Sequence, residues 1–283
     1  MGRQLWIWVS SILVFCMVAF GIVQSPGFNR LKPVESVTGL PLLEQSTEAA
    51  LVPAAANDTE STQDLIPATA PTLAQSAPNY QPLEEIALAH PTNYGDRYAT
   101  DINGRPVFNR FIVVIHETVG SARSAINLFQ TPHPNDADQV SYHTLIAQDG
   151  TVIYIVPPEN RAYGAGNSVF DGPDGLETVA THPTLPPSVN NFAYHVSLES
   201  PADGRGRGST HSGYTQAQYE SLAWLLARTD IPDNRITTHR SVDRSGSRID
   251  PRSFDPNRFL SLLHRYPMRT AATDAIAMEE VRS

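Results

Sequence analysis

The segment Phe111-Ile-Val-Val-Ile-His-Glu-Thr118 limits more than any other what this chain can become. Ile112, Val113, Val114 and Ile115 are consecutive and β-branched, so a strand here has no polar face to turn to water. It reads as a central strand buried on both sides, which belongs to layered α/β architectures rather than to open antiparallel sheets. His116 stands where that strand ends, a position from which side chains of α/β folds commonly reach a site.

Other patterns support an α/β reading. Ser121–Gln130 reads as a helix, and Ser141–Pro157 as two strand runs joined around Asp149-Gly150, a strong hairpin signal. Ala193–Ser200 reads as a further strand. Thr215–Thr229 is the clearest helix, with Thr215 and Gln218 as a capping box and Tyr219, Leu222, Ala223 and Leu226 on one apolar face. A last helix begins at Asp255-Pro256, buries Phe259, Leu262 and Leu263, and ends near Tyr266. Alternating strands and helices define one α/β domain over residues 85–266, followed by a flexible tail, 267–283.

What precedes the domain is of another kind. Leu5–Val23 carries no charge, and nineteen helical residues span roughly 28 Å, close to a hydrocarbon core. Trp6 and Trp8 suit a membrane interface. A retained anchor and a signal peptide cleaved near Ala19-Phe20-Gly21 are both consistent with it, and either places the domain at the cell envelope: on the periplasmic face of the cytoplasmic membrane, or exported. Residues 24–84 are rich in Pro, Ala, Thr and Ser, and read as a disordered tether with too little apolar surface to fold. The net charge of −9 and the absence of a clustered basic face argue against nucleic-acid binding. The one cysteine, Cys16, excludes an intrachain disulfide or a thiolate cluster. The oligomeric state is not legible.

Metal chemistry is open to His116, to His239 after the β-branched run Ile236–Thr238, and to Asp250, in a loop eleven positions later. Two imidazoles and a carboxylate with a fourth position open is a ligand set of catalytic zinc. By spacing alone, each also reads as an ordinary structural or surface residue. The helical zinc-protease motif is absent, since Gly120 stands where the second histidine would be, and no G-x-S-x-G elbow occurs. Gly204–Gly208 lacks phosphate-loop spacing and reads as a mobile, solvated loop.

Five blocks in order, "FIVVIHETVGS", "SYHTLIAQDGTVIYIVPPENRAYGAGNS", "NNFAYHVSLES", "YTQAQYESLAWLL" and "ITTHRSVDRSGSRIDP", resemble the zinc-dependent N-acetylmuramoyl-L-alanine amidases, the type 2 amidases related to peptidoglycan recognition proteins. The resemblance covers about residues 105–262. It implies a central mixed β-sheet flanked by helices, with Zn²⁺ held in a groove by His116, His239 and Asp250. It also implies hydrolysis of the amide joining N-acetylmuramic acid to L-alanine, with peptidoglycan or a muropeptide as substrate. Tyr142 matches the position of a catalytic tyrosine in some members, and is equally readable as a packed strand aromatic. Glu199 is a second candidate for proton transfer, and otherwise a solvated or salt-bridged strand carboxylate.

The chain departs from the family pattern in four places. Arg248 stands where lysine is usual, two residues before the third ligand. Arginine can stabilise an oxyanion but hardly delivers a proton. The interval from His239 to Asp250 is about one residue longer. The "AWHAG" block reads Ala162-Tyr-Gly-Ala-Gly166, so a groove histidine is missing at Gly164. The "GIELE" strand reads His195-Val-Ser-Leu-Glu199, with Ser197 at the first acid. Parity places His195 on the face of Glu199, and His143 opposite Tyr142. His133, His182 and His211 fall in loops, and these three and His195 read as non-ligands. The alternative to an enzyme is a binding module of the same fold, which Arg248 and Gly164 favour and the triad opposes.

Overall fold

A computed structural model of the protein describes residues 78–267 and 269. The apolar segment Leu5–Val23, most of the tether and most of the tail lie outside these residues. No helix among the described residues is long and apolar enough to cross a membrane.

Ten strands occur among the described residues. They are β1 (Glu84–Ile86), β2 (Tyr94–Asp96), β3 (Ile112–Glu117), β4 (Thr144–Ile146) and β5 (Val152–Tyr154), then β6 (Asn160–Ala162), β7 (Phe170–Gly172), β8 (Gly175–Glu177), β9 (Ala193–Leu198) and β10 (Ile236–Thr238). Six form one sheet in the order β1-β5-β4-β9-β3-β10. β4 and β5 are antiparallel and the other four pairings parallel, so the sheet is mixed, as expected. β2 with β6 and β7 with β8 make two small antiparallel ribbons.

The central strand is where the sequence places it, and all six residues of β3 are buried. Val113 and Ile115 pack with α2 (Gln216–Ala227) and α4 (Pro256–Leu263), through Tyr219, Leu222, Leu226, Phe259 and Leu263. Ile112 and Val114 face the other way, into a cluster with Phe170, Val189 and Phe192. On that same side α1 (Ala122–Gln130) lays Ala125 and Phe129 over Leu145, Ile153 and Ile155.

The turn and cap readings hold in detail. Gly150 adopts φ +92° in the β4–β5 turn, a conformation only glycine takes without cost, and Asp149 Oδ1 accepts from Thr151 N. Both halves of the Thr215–Gln218 capping box are formed. Gln218, Ser221, Trp224, Leu225 and Ala227 are also buried, so α2 is wedged between sheet and α4 rather than half exposed.

The edge strand β1 is fully exposed and pairs with β5, and the Tyr80 hydroxyl lies 2.7 Å from Ser221 Oγ on α2. The Gly204–Gly208 loop is held rather than free, because the buried Arg252 guanidinium donates to the carbonyls of Gly204, Gly206 and Gly208.

Candidate metal centre

Strand parity decides where the first imidazole goes. His116 follows Ile112 and Val114 to the α1 side of the sheet, while Glu117 follows Val113 and Ile115 to the α2 side. β10 runs parallel to β3 with Thr238 opposite Ile115, which brings the next residue, His239, level with His116. His239 is not in a loop: it opens a one-turn helix, α3 (His239–Val242), whose N-cap Thr238 accepts from Ser241 N. The excursion to Asp250 folds around Asp243, whose carboxylate accepts from the backbone N of Ser245, Ser247 and Arg248. Arg240 N then donates to the Asp250 carbonyl and closes the loop onto α3.

The three side chains converge. Asp250 Oδ2 lies 3.1 Å from His239 Nδ1 and 3.4 Å from His116 Nδ1. One donor atom from each residue lies within 4.8 Å of the others, and all three residues are buried. Burial, and then the neighbouring His239, lower the His116 pKa to about 4, so its ring is neutral at pH 7 with a lone pair to offer. Burial by itself would raise the Asp250 pKa, but His116 and His239 beside the carboxylate outweigh it and hold Asp250 ionised. His116 Nδ1 is buried without a hydrogen-bond partner, its 3.4 Å approach to Asp250 being a contact only. An orphaned imidazole nitrogen, a second imidazole and a carboxylate facing one point are donors that fit a zinc ion with one position left open.

His239 and Asp250 open into a groove of about 660 Å³, lined among others by Tyr142, Arg161, Tyr163, Gly164, Arg248 and the Asp136–Gln139 loop. The Tyr142 ring stacks on His116 with centroids 4.4 Å apart, and makes a T-shaped contact with Phe129 of α1. Burial, and then the Asp250 charge, raise the phenol pKa, so Tyr142 holds its proton. Arg248 is exposed and lines the groove, its backbone N donating to Asp243 Oδ2.

Glu199 takes the second of its two readings, a salt-bridged carboxylate. β9 ends at Leu198, and the Glu199 carboxylate turns to Gln148 N and Arg205, outside the groove lining. It braces a loop. The acid that parity argument missed is Glu117, which is fully enclosed by Arg252 Nε at 2.5 Å, His211 Nε2 at 3.0 Å, Ser200 Oγ at 3.1 Å and Tyr214 OH at 3.2 Å. Since Arg252 lies two residues beyond Asp250, this ion pair clamps the ligand loop to the central strand.

The remaining histidines sort by distance from this centre. His195 is fully buried directly behind His116, Nδ1 to Nε2 at 2.9 Å, with the His143 ring stacked beyond it. His211 is bound to Glu117, His133 faces Asn93 and His182 pairs with Asp136, and none of them joins the three-residue cluster.

Known proteins resemble the same part of the chain. It is 30 % identical over 129 residues to the 1,6-anhydro-N-acetylmuramyl-L-alanine amidase AmpD of Citrobacter freundii, over 44 % of this chain and 58 % of that protein. The AmpD of Haemophilus influenzae is 31 % identical over 139 residues, 46 % of this chain and 64 % of its own. This chain therefore spans about three fifths of the length of these relatives. A crystal structure of a selenomethionine derivative of AmpD aligns over 65 % of this chain and 96 % of that chain, at 25 % identity and a TM-score of 0.46. Residues 105–253, more than half of the 283, match the profile of the N-acetylmuramoyl-L-alanine amidases, and the chain belongs to that family.

Proposed function

We propose that this protein is a zinc-dependent amidase that hydrolyses the bond between N-acetylmuramic acid and L-alanine in peptidoglycan or its fragments. The observation that carries the reading is the buried convergence of His116, His239 and Asp250, of which His239 and Asp250 line an open groove. Family membership and the likeness to AmpD, a 1,6-anhydro-N-acetylmuramyl-L-alanine amidase, support the choice of bond.

His116 Nδ1, His239 Nδ1 and Asp250 Oδ2 would hold the ion. The chemistry it supplies when bound is Lewis acidity toward water and toward a carbonyl oxygen. The chain's own groups do the rest. Tyr142, kept protonated and fixed by its stack on His116, presents a phenol O–H where a leaving amine needs a proton. Arg248 brings a permanent positive charge to the side of the groove where oxyanion charge develops. Glu117 and Arg252, paired with each other, hold the Asp250 loop in place.

Purified full-length protein, incubated with peptidoglycan in the presence and absence of a chelator, tests this. Release of free stem peptides that stops on chelation and returns with zinc is the expected result. Binding without release would favour the alternative of a non-catalytic muropeptide-binding module, to which Arg248 and Gly164 lend support as departures from the family pattern. The apolar segment Leu5–Val23 further leads us to propose action at the cell envelope.

A further inference from the structure

We infer that His195 is a positioning residue for His116, fixing the ring tautomer that leaves Nδ1 free for the ion, and that Gly164 is what makes room for it. The inference rests on the ligand assignment above. His195 Nδ1 lies 2.9 Å from His116 Nε2, and both rings are wholly shielded from solvent. A neutral imidazole carries one proton, so a His116 ring that donates through Nε2 must present a bare Nδ1. Among the described residues no other hydrogen-bond partner faces that Nε2.

His195 is itself held rigidly. Its backbone N donates to His143 Nδ1 at 2.9 Å, and the two rings stack within 10° of parallel. His143 Nε2 in turn faces the Asn160 carbonyl at 3.2 Å. Packing alone does not ask for a histidine at 195, because its Nε2 is buried with no partner.

The space for this ring is made at position 164. A Cβ on Gly164 would lie 2.6 Å from both Cγ and Nδ1 of His195, closer than real Cβ atoms approach. The two departures from the family pattern are thus one reciprocal exchange. The pattern puts histidine in the Ala162–Gly166 block and glycine at the start of the β9 block, and this chain has Gly164 and His195. The imidazole has moved from the loop to the strand.

The partner that orients a ligating histidine typically changes metal affinity 10–100-fold when removed. The test compares H195F, which keeps a ring but loses the acceptor, H195N, which keeps an acceptor near the position of Nδ1, and G164A. Zinc dissociation constants come from chelator competition, with the thermal midpoint of each metal-free variant measured alongside. H195F and G164A are expected to bind zinc about 10–100-fold more weakly, and H195N to within a few-fold of wild type. In parallel, nitrogen-15 NMR of the wild-type imidazoles, which needs no variant, is expected to find the proton of His116 on Nε2 in the metal-free and in the zinc-loaded protein. An Nδ1-protonated His116 in the metal-free protein overturns the inference. So does H195F binding zinc like wild type, or an affinity loss that H195N shares. Wild-type protein that binds no zinc would instead overturn the functional reading beneath it.

Discussion

The Tyr142 ring lies almost face to face with the His116 imidazole, centroids 4.4 Å apart and planes 27° from parallel. One side chain therefore both walls the ligand and offers a phenol to the groove. Y142F keeps the stack and loses the proton, so zinc affinity is expected to stay within about two-fold while kcat falls roughly 10²–10⁴-fold, the usual worth of a positioned acid or base. Y142A also removes the ring that contacts His116 and Phe129 and should weaken zinc binding. Chelator competition and steady-state rates on both variants separate the two roles; an active Y142F assigns the proton to another group.

The Glu117–Arg252 pair gives a stability prediction. Both side chains are almost wholly buried, and Glu117 has four side-chain partners besides the Arg252 backbone N. Removing one charge of a buried pair strands the other, at a cost of about 3–5 kcal/mol. E117A is expected to lower the unfolding free energy by that amount, read as a lower denaturant midpoint at unchanged slope, and to loosen zinc because the Asp250 loop loses its clamp. E117Q retains acceptors for part of the network and should lie between. A variant with the wild-type midpoint would show that the pair adds nothing to folding.

His143 makes stability depend on pH. Burial, and then the Arg97 guanidinium 3.1 Å from its Nε2, lower its pKa to about 3. The unfolded chain takes up a proton at this residue below about pH 6.5, and the folded protein does not until near pH 3. Stability from this residue is therefore present above that window and is lost as pH falls through it. Between pH 7 and pH 5 the loss is roughly 2 kcal/mol. Urea titrations at the two pH values should show it for the wild type and a correspondingly shallower slope for H143Q. Equal slopes would mean that His143 is not held neutral.

How much of this was legible follows from the range of each interaction. The β3 strand, the Asp149-Gly150 hairpin and the Thr215–Gln218 cap are local patterns, and each formed as read. The three converging side chains were visible too, because His116 stands one residue before the end of β3 and His239 directly after β10, the strand parallel to it. Which reading of Glu199 holds was not legible because parity extends only as far as the strand: β9 stops at Leu198, one residue before Glu199. Glu117 was hidden for the opposite reason, as its partners His211, Tyr214 and Arg252 lie 94, 97 and 135 residues away. β1 carries no signal at all, since Glu84–Ile86 bury no face and are defined only by pairing with β5.

Arg248 offers the sharpest comparison with the family pattern, which has lysine at that position. Arg248 lines the groove, and its backbone N is fixed by Asp243. If its task is to meet developing oxyanion charge, R248A should lower kcat by about 10²–10³-fold with zinc affinity kept, as for other oxyanion donors. R248K restores a charge at the same place and should recover most of the rate. Lysine titrates near pH 10.4, so R248K alone should lose activity on the alkaline side as its ammonium deprotonates. Rate–pH profiles of the three proteins decide the point, because a residue that only shapes the rim would leave R248A and R248K with the wild-type profile.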